Sequence, residues 1–347
     1  MGALRQNWWL PIAIVGAFSI PLLADSYSQY VVNLVLVNVV VAIGLNIVMG
    51  FAGQLSFAHS AFMGIGAYAT VLLMSRVGLP FILALPLAGI ATGLLGFLVG
   101  LPAVRVRGLY LALLTIAFLS FCSWVFVHWK EVTLGSTGMR VPRVSVGGIP
   151  LATDQAKYYA ILAATAVMVW LATAIVRSRW GRAFVMVREV ELAAQANGIN
   201  VMTTKAIAFG ISAAYAAVGG GLFALAIDFL VPSSFGLLQM VTQFAMVLIG
   251  GLTSIVGAMI GALLLSILPE LLREFRGAEE IAYGVLIVVF ILFMPDGIAG
   301  LLRRRGWLPR PALLSRRLEG LRPGISSTGA HGLLPVRKAS AEGASQR

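Results

Sequence analysis

The side chains able to do covalent or proton chemistry in this 347-residue chain are few and scattered. Three histidines, His59, His128 and His331, lie far apart, and the one cysteine, Cys122, sits in an apolar run. That excludes an intramolecular disulfide and a cysteine-based metal cluster, and leaves Cys122 as a small buried hydrophobe. No grouping has metal-ligand spacing, so no metal site is expected. None of the four lysines, Lys130, Lys157, Lys205 and Lys338, follows a glycine or precedes Ser or Thr, as a phosphate-binding loop requires. The polypeptide itself is therefore not expected to hydrolyse ATP by that route. No hydroxyl or thiol stands beside a base in a pattern that suggests a nucleophile, and an enzyme is not the expected class.

What remains is polar chemistry set in apolar sequence. His59 is the one residue placed to relay a proton within a span, and a proton-coupled carrier built on it is the alternative class. No carboxylate neighbours it in sequence, which makes packing the plainer reading. Asn38 and Asn46 stand eight apart and share a helix face. Gln54 and Ser56 precede His59 in a Gly-rich break, and Gln239 and Gln243 stand four apart. Polar groups are costly against lipid, so all seven are expected to point inward. There they either bond neighbouring helices or line a translocation path. All thirteen carboxylates fall in loops or at the ends of apolar runs.

The elements that position these residues must be lipid-embedded. Hydrophobic residues make up 59% of the chain, charged residues 11%, and mean hydropathy is +0.94. A soluble domain carries roughly 25% charged residues. About twenty apolar residues cross a bilayer, and on that measure ten spans are expected. They are Trp8–Ala24, Val31–Met49, Phe57–Met74, Phe81–Leu101, Leu109–Val127, Tyr158–Val176, Ala206–Ile227, Leu238–Gly251, Ser254–Leu272 and Ile281–Pro295. Arg5 precedes the first, but no small-x-small cleavage site follows, so it reads as a retained span. The fold class is all-α and polytopic.

The net charge of +12 is not that of a nucleic-acid groove. Ten of the 25 Lys and Arg lie between Arg303 and Arg347, and most of the others border apolar runs, the pattern of basic residues facing the cytoplasm. The stretch Arg177–Lys205 and the run Arg303–Arg305 belong inside, four spans apart. Counting back places Arg105, Arg107, Arg5 and both termini inside as well. Residues 1–302 then form the transmembrane domain, and 303–347 a basic tail too poor in large apolar residues to fold alone, lying near anionic lipid.

Small residues recur at helix-packing spacing at Gly89, Gly93, Gly96 and Gly100, and at Gly250, Gly251, Gly257 and Gly261, where backbones can approach closely. Gly50–Gly53 and Gly219–Gly221 are expected to interrupt helices. Between spans six and seven, residues 177–205 leave the bilayer. From Ala183 to Asn197 a helical projection puts Met186, Val187, Val190, Ala193 and Ala194 on one face and Arg188, Glu191 and Gln195 on another. Gly198 is a helix stop. Such a helix needs a partner for its apolar face: the membrane surface, the spans, or another protein.

Several runs together carry a family resemblance. They are Gly44-Leu45-Asn46, Gly50 through Tyr68, Arg107 through Phe118, Arg177 through Ala183, Glu191 through Asn200, Pro232 through Gly236, and Gly250 through Gly257. In this order, over about residues 30–300, the chain resembles the LivM type of ABC-importer permease for branched-chain amino acids. It departs from the usual pattern at Ala58, where glycine is common, and at Val231 and Ser233 beside the loop proline. The resemblance implies an architecture similar to the vitamin-B12-type (type II) importer permeases in the bacterial inner membrane, without a cofactor in this chain. It implies as partners a second permease of the LivH type, two cytoplasmic ATPases and an extracytoplasmic binding protein. It also implies that the insert docks on an ATPase, with Arg182, Arg188, Glu191, Ala193, Ala194 and Gly198 as the coupling residues; Leu192 adds one residue to the usual Glu-to-Ala spacing. A related urea-transport branch makes urea or a short amide the alternative cargo.

Overall fold

The computed structural model describes residues 25–103, 106, 108–142, 145–146, 149–150, 153–272, 284–285 and 297–304. The expected first span, most of the tenth and the tail beyond residue 304 lie outside the described residues.

Helix α1, Ser26–Asn46, is a Val-rich run that ends in a π-helical turn, Ile47–Phe51. Residues 52–58 then form no helix before α2, His59–Arg76. Next come α3, Phe81–Ala103, which continues through Pro86 and Pro102, α4, Leu109–His128, and the single turn α5, Lys130–Thr133. Helix α6, Asp154–Arg177, begins where the Thr153 hydroxyl accepts from the Ala156 N–H, a side-chain cap for an orphan donor. The insert holds α7, Arg179–Glu189, and α8, Glu191–Ala196. Helix α9, Val201–Ile227, is capped in the same way by Asn200. Helices α10, Leu237–Gly250, and α11, Ile255–Leu272, form a tight hairpin, and α12 covers Gly297–Arg304.

Among the described residues six helical segments are long and apolar enough to cross a membrane: α1 with its π turn, α3, α4, α6, α9, and α10 with the turn before it. The remaining expected spans in this region, α2 and α11, fall short of that measure. Helix α2 is long enough at 18 residues but too polar, with His59 at one end and Arg76 at the other, and it starts inside the bundle. His59 at its first turn meets Val41, five residues before the end of α1, and Ser212, well inside α9. Irregular backbone at that depth is tolerable where protein covers it: Ala52, Gln54, Ser56 and Ala58 are buried, while Gly53 and Leu55 between them are exposed.

Helix α9 is the axis of the bundle and packs on α3, α2 and α1. Its seam with α3 uses the predicted small-residue row. A Cβ on Gly96 would lie 2.3 Å from that of Ala213, and one on Gly100 2.9 Å from that of Phe209. The expected break at Gly219–Gly221 does not occur, for α9 runs straight through it. Those glycines admit neighbours instead: a Cβ on Gly220 would meet the Met63 carbonyl at 2.0 Å, and one on Gly219 a Val41 methyl at 2.4 Å. Gly250, Gly257 and Gly261 make the equivalent seam between α10 and α11.

Two short ribbons complete the fold. Strand β1, Met139–Arg140, pairs antiparallel with β4, Phe229–Leu230, and β2, Ser145–Val146, with β3, Ile149–Pro150. The first ribbon joins the loop before α6 to the loop after α9, and Lys157 pairs with Asp228 beside it. Since α6 leads into the insert and α9 leads out of it, ribbon and insert occupy opposite ends of these two helices.

Candidate functional site

The insert is seated on the bundle through its inner face. In α7 Gly181, Phe184 and Val187 are buried at three-residue spacing. Val187, Ala194 and Val201 form a small apolar cluster with Ile199 against it. The helix expected to run from Ala183 to Asn197 is instead two helices, because Val190 is extended at φ −150° and ψ 100°. No glycine or proline marks that break. It coincides with flanking residues tied to different partners. Arg188 Nη1 donates to the Gly50 carbonyl at 2.7 Å, and Glu191 takes the Lys205 ammonium at 2.7 Å. Lys205 is nearly enclosed, its side chain 5% exposed, so the pair satisfies a cation that would be costly alone.

The break also re-sorts the expected apolar face. Val187 and Ala194 point inward, whereas Met186, Val190 and Leu192 are exposed, Leu192 to 77%. Ala193 is exposed as well. Arg182 turns back on the Arg177 carbonyl at 3.2 Å. Gly198 stops α8 at φ +75°. Its N–H donates to the Gln195 carbonyl and that of Ile199 to Ala194, the paired bonds of a left-handed helix end.

The polar residues expected in a path do not converge. Asn38 donates to Ser266 on α11 at 2.8 Å, and Asn46 donates to the Ser254 carbonyl at 2.8 Å while accepting the Thr253 N–H at 3.1 Å. Their shared face thus meets α11 and the turn before it: Asn38 bonds helix to helix, and Asn46 bonds helix to turn. His59 lies between the Val41 carbonyl, 2.9 Å from Nε2, and the Ser212 hydroxyl, 3.1 Å from Nδ1. Neither partner is a carboxylate, which is the arrangement of a packing histidine. Gln54 reaches the Ala52 carbonyl at 3.4 Å, and Ser56 is buried beside it. Gln239 is half-buried. Gln243 is wholly enclosed; its amide nitrogen meets the Met63 sulfur at 3.2 Å, and its oxygen has no partner. Among the described residues no group of three His, Cys, Asp or Glu could hold a metal.

Sequence reasoning missed the partners. Lys205, Ser212, Ser254 and Ser266 are ordinary helix or turn residues, and only the tertiary fold brings them to Glu191, His59, Asn46 and Asn38.

Residues 27–294 match the family described as branched-chain amino acid transport system, permease component. The chain belongs to this family. It is the permease component of a branched-chain amino acid ABC transport system, and not an enzyme. It is 28% identical to the high-affinity branched-chain amino acid permease LivM of Salmonella typhimurium, over 86% of this chain and 76% of that one. It is 30% identical to the permease BraD of Pseudomonas aeruginosa, over 79% and 96%. To LivH of Escherichia coli it is 28% identical, over 75% and 90%. No solved structure matches the chain significantly. The permease's long apolar helices make it a multi-pass membrane protein.

Proposed function

We propose that this chain is the LivM-type half of a two-permease importer, driven through its insert by a cytoplasmic ATPase. In this reading a LivH-type permease completes the path, two ABC ATPases hydrolyse ATP, and an extracytoplasmic binding protein delivers a branched-chain or other hydrophobic amino acid. No cofactor belongs to this chain. Its ten spans follow the vitamin-B12-type permease architecture, in a bacterial inner membrane with both termini cytoplasmic. The insert then lies inside the cell, and the β1–β4 ribbon faces the binding protein.

One observation carries the docking reading. The insert is held on its inner side by Phe184, Val187, Ala194 and the Glu191–Lys205 pair, and it presents Met186, Val190 and Leu192 outward. An apolar surface on a seated, non-spanning helix pair is suited to a protein groove. Replacing Leu192 with Asp removes an outward contact without touching the seat. The permease should insert and pair normally, while ATPase subunits no longer co-purify and uptake is lost. Full co-purification with normal uptake would show that the ATPase docks elsewhere.

His59 gives the competing carrier reading no support, because both its ring nitrogens are engaged by a carbonyl and a hydroxyl.

A further inference from the structure

We infer that Arg188, Gly50 and Asn46 form a relay that carries movement of the insert to the turn between α10 and α11. It rests on the docking reading and adds the route by which force leaves the docked insert. Arg188 belongs to the insert and, although the residue is exposed, its guanidinium donates to the Gly50 carbonyl of the bundle. That carbonyl lies in the π-helical turn that ends α1. Carbonyls in a last turn have no onward helical donor, and a charged donor makes the stronger hydrogen bond.

On its other side Gly50 has no Cβ to separate it from the next link. A Cβ there would lie 2.0 Å from Asn46 Oδ1 and 2.7 Å from the Thr253 nitrogen. Through that gap Asn46 grips both backbone groups of the α10–α11 turn, accepting from Thr253 and donating to Ser254. Thr253 is held at φ +64°, a conformation that costs a non-glycine residue energy. The Ser254 hydroxyl in turn accepts the Gly257 N–H in the first turn of α11. Gly53 completes the fit: at φ +68° it has no side chain, and a Cβ would press the Arg188 stem at 2.8 Å. The links are contiguous from insert to α11. Farther along, the Asn38–Ser266 bond holds α1 and α11 together, so the two helices receive the movement as a pair. A π turn is often found at functional sites and supplies the element whose geometry can change.

The test uses the whole transporter in vesicles, with both permeases, the ATPases and the binding protein. Arg188→Met keeps the stem against Gly53 and removes the donor. Asn46→Asp removes the donation to Ser254. Each should leave ATPase co-purification at the wild-type level, while cargo-stimulated hydrolysis and uptake fall together by about tenfold, the scale of a typical coupling energy. Arg188→Lys, which can still donate, should restore part of the loss. Because the residues act in series, the double variant should be no worse than the worse single one. Normal coupled uptake in Arg188→Met, or losses that multiply in the double variant, would overturn the relay. Loss of ATPase co-purification in Arg188→Met would also overturn it, by making Arg188 a docking residue. If either variant fails to accumulate in the membrane, the other and Arg188→Lys decide by the same measurements. A transporter that keeps its ATPases and uptake after Leu192→Asp would refute the docking surface instead.

Discussion

His59 shows how a single buried polar residue divides two classes of transporter. A proton shuttle needs a partner that can take or give a proton, and here the ring is held by the Val41 carbonyl and the Ser212 hydroxyl. Its work is to fix the start of α2 against α1 and α9. Gly44 adds to this fit, since a Cβ there would lie 3.2 Å from the His59 ring. Replacing His59 with Gln keeps one donor and one acceptor in a similar volume. The variant should lose stability by about 1–3 kcal/mol, the cost of imperfectly met buried hydrogen bonds. Uptake per assembled transporter should remain within a few-fold of wild type, with an unchanged pH profile. A profile flattened by the substitution would restore the carrier reading. Asn38 and Asn46 follow the same logic. Their common helix face was legible from spacing alone, whereas their partners Ser266, Thr253 and Ser254 stand more than 200 positions away and carried no local signal.

Among the elements, helices were readable where a long apolar run decided the matter, and misread where tertiary ties did. The runs that became α3, α4, α6 and α9 needed only hydropathy. The glycine triplet Gly219–Gly221 looked like a break, but in lipid a glycine-containing helix keeps its own bonds and gains close neighbours. The difference is testable. An alanine at Gly220 would set a methyl 2.0 Å from a backbone carbonyl, whereas at Gly89 the nearest atom is a Val218 methyl at 3.1 Å. Gly220→Ala should sharply reduce the detergent-stable, monodisperse protein recovered from membranes, and Gly89→Ala should change it little. Equal yields would mean that α2 and α9 are not so closely apposed. In the insert, the one-helix reading failed at Val190 because the Arg188 and Glu191 ties are non-local. Glu191→Lys sets a second cation against buried Lys205, and Gly198→Pro removes the N–H that closes α8 while demanding φ near −65°. Both should leave the permease inserted and paired, yet lower uptake and cargo-stimulated ATP hydrolysis together. Normal values for both variants would separate the seating of the insert from transport.

At the scale of the whole molecule, the chain is a permease component, and none of its four lysines stands in a phosphate-binding loop pattern. In the proposed scheme work enters through the insert, which is anchored at its back by Phe184, Val187 and Ala194 and apolar at its front. The basic tail enters this scheme only through charge. Ten of its residues are Lys or Arg, and a basic residue near an anionic membrane surface contributes about 1 kcal/mol, so the proposed attraction to lipid is shared among them rather than carried by any one. The family match ends before it, at residue 294. Truncation after Trp307 should therefore leave membrane insertion, ATPase co-purification and uptake close to wild type, while lowering the affinity of the purified permease for vesicles' anionic lipid. Complete loss of uptake with normal insertion would assign the tail a part in transport. Loss of ATPase co-purification would show that the driving surface extends beyond the insert, and that force reaches the bundle by a second route.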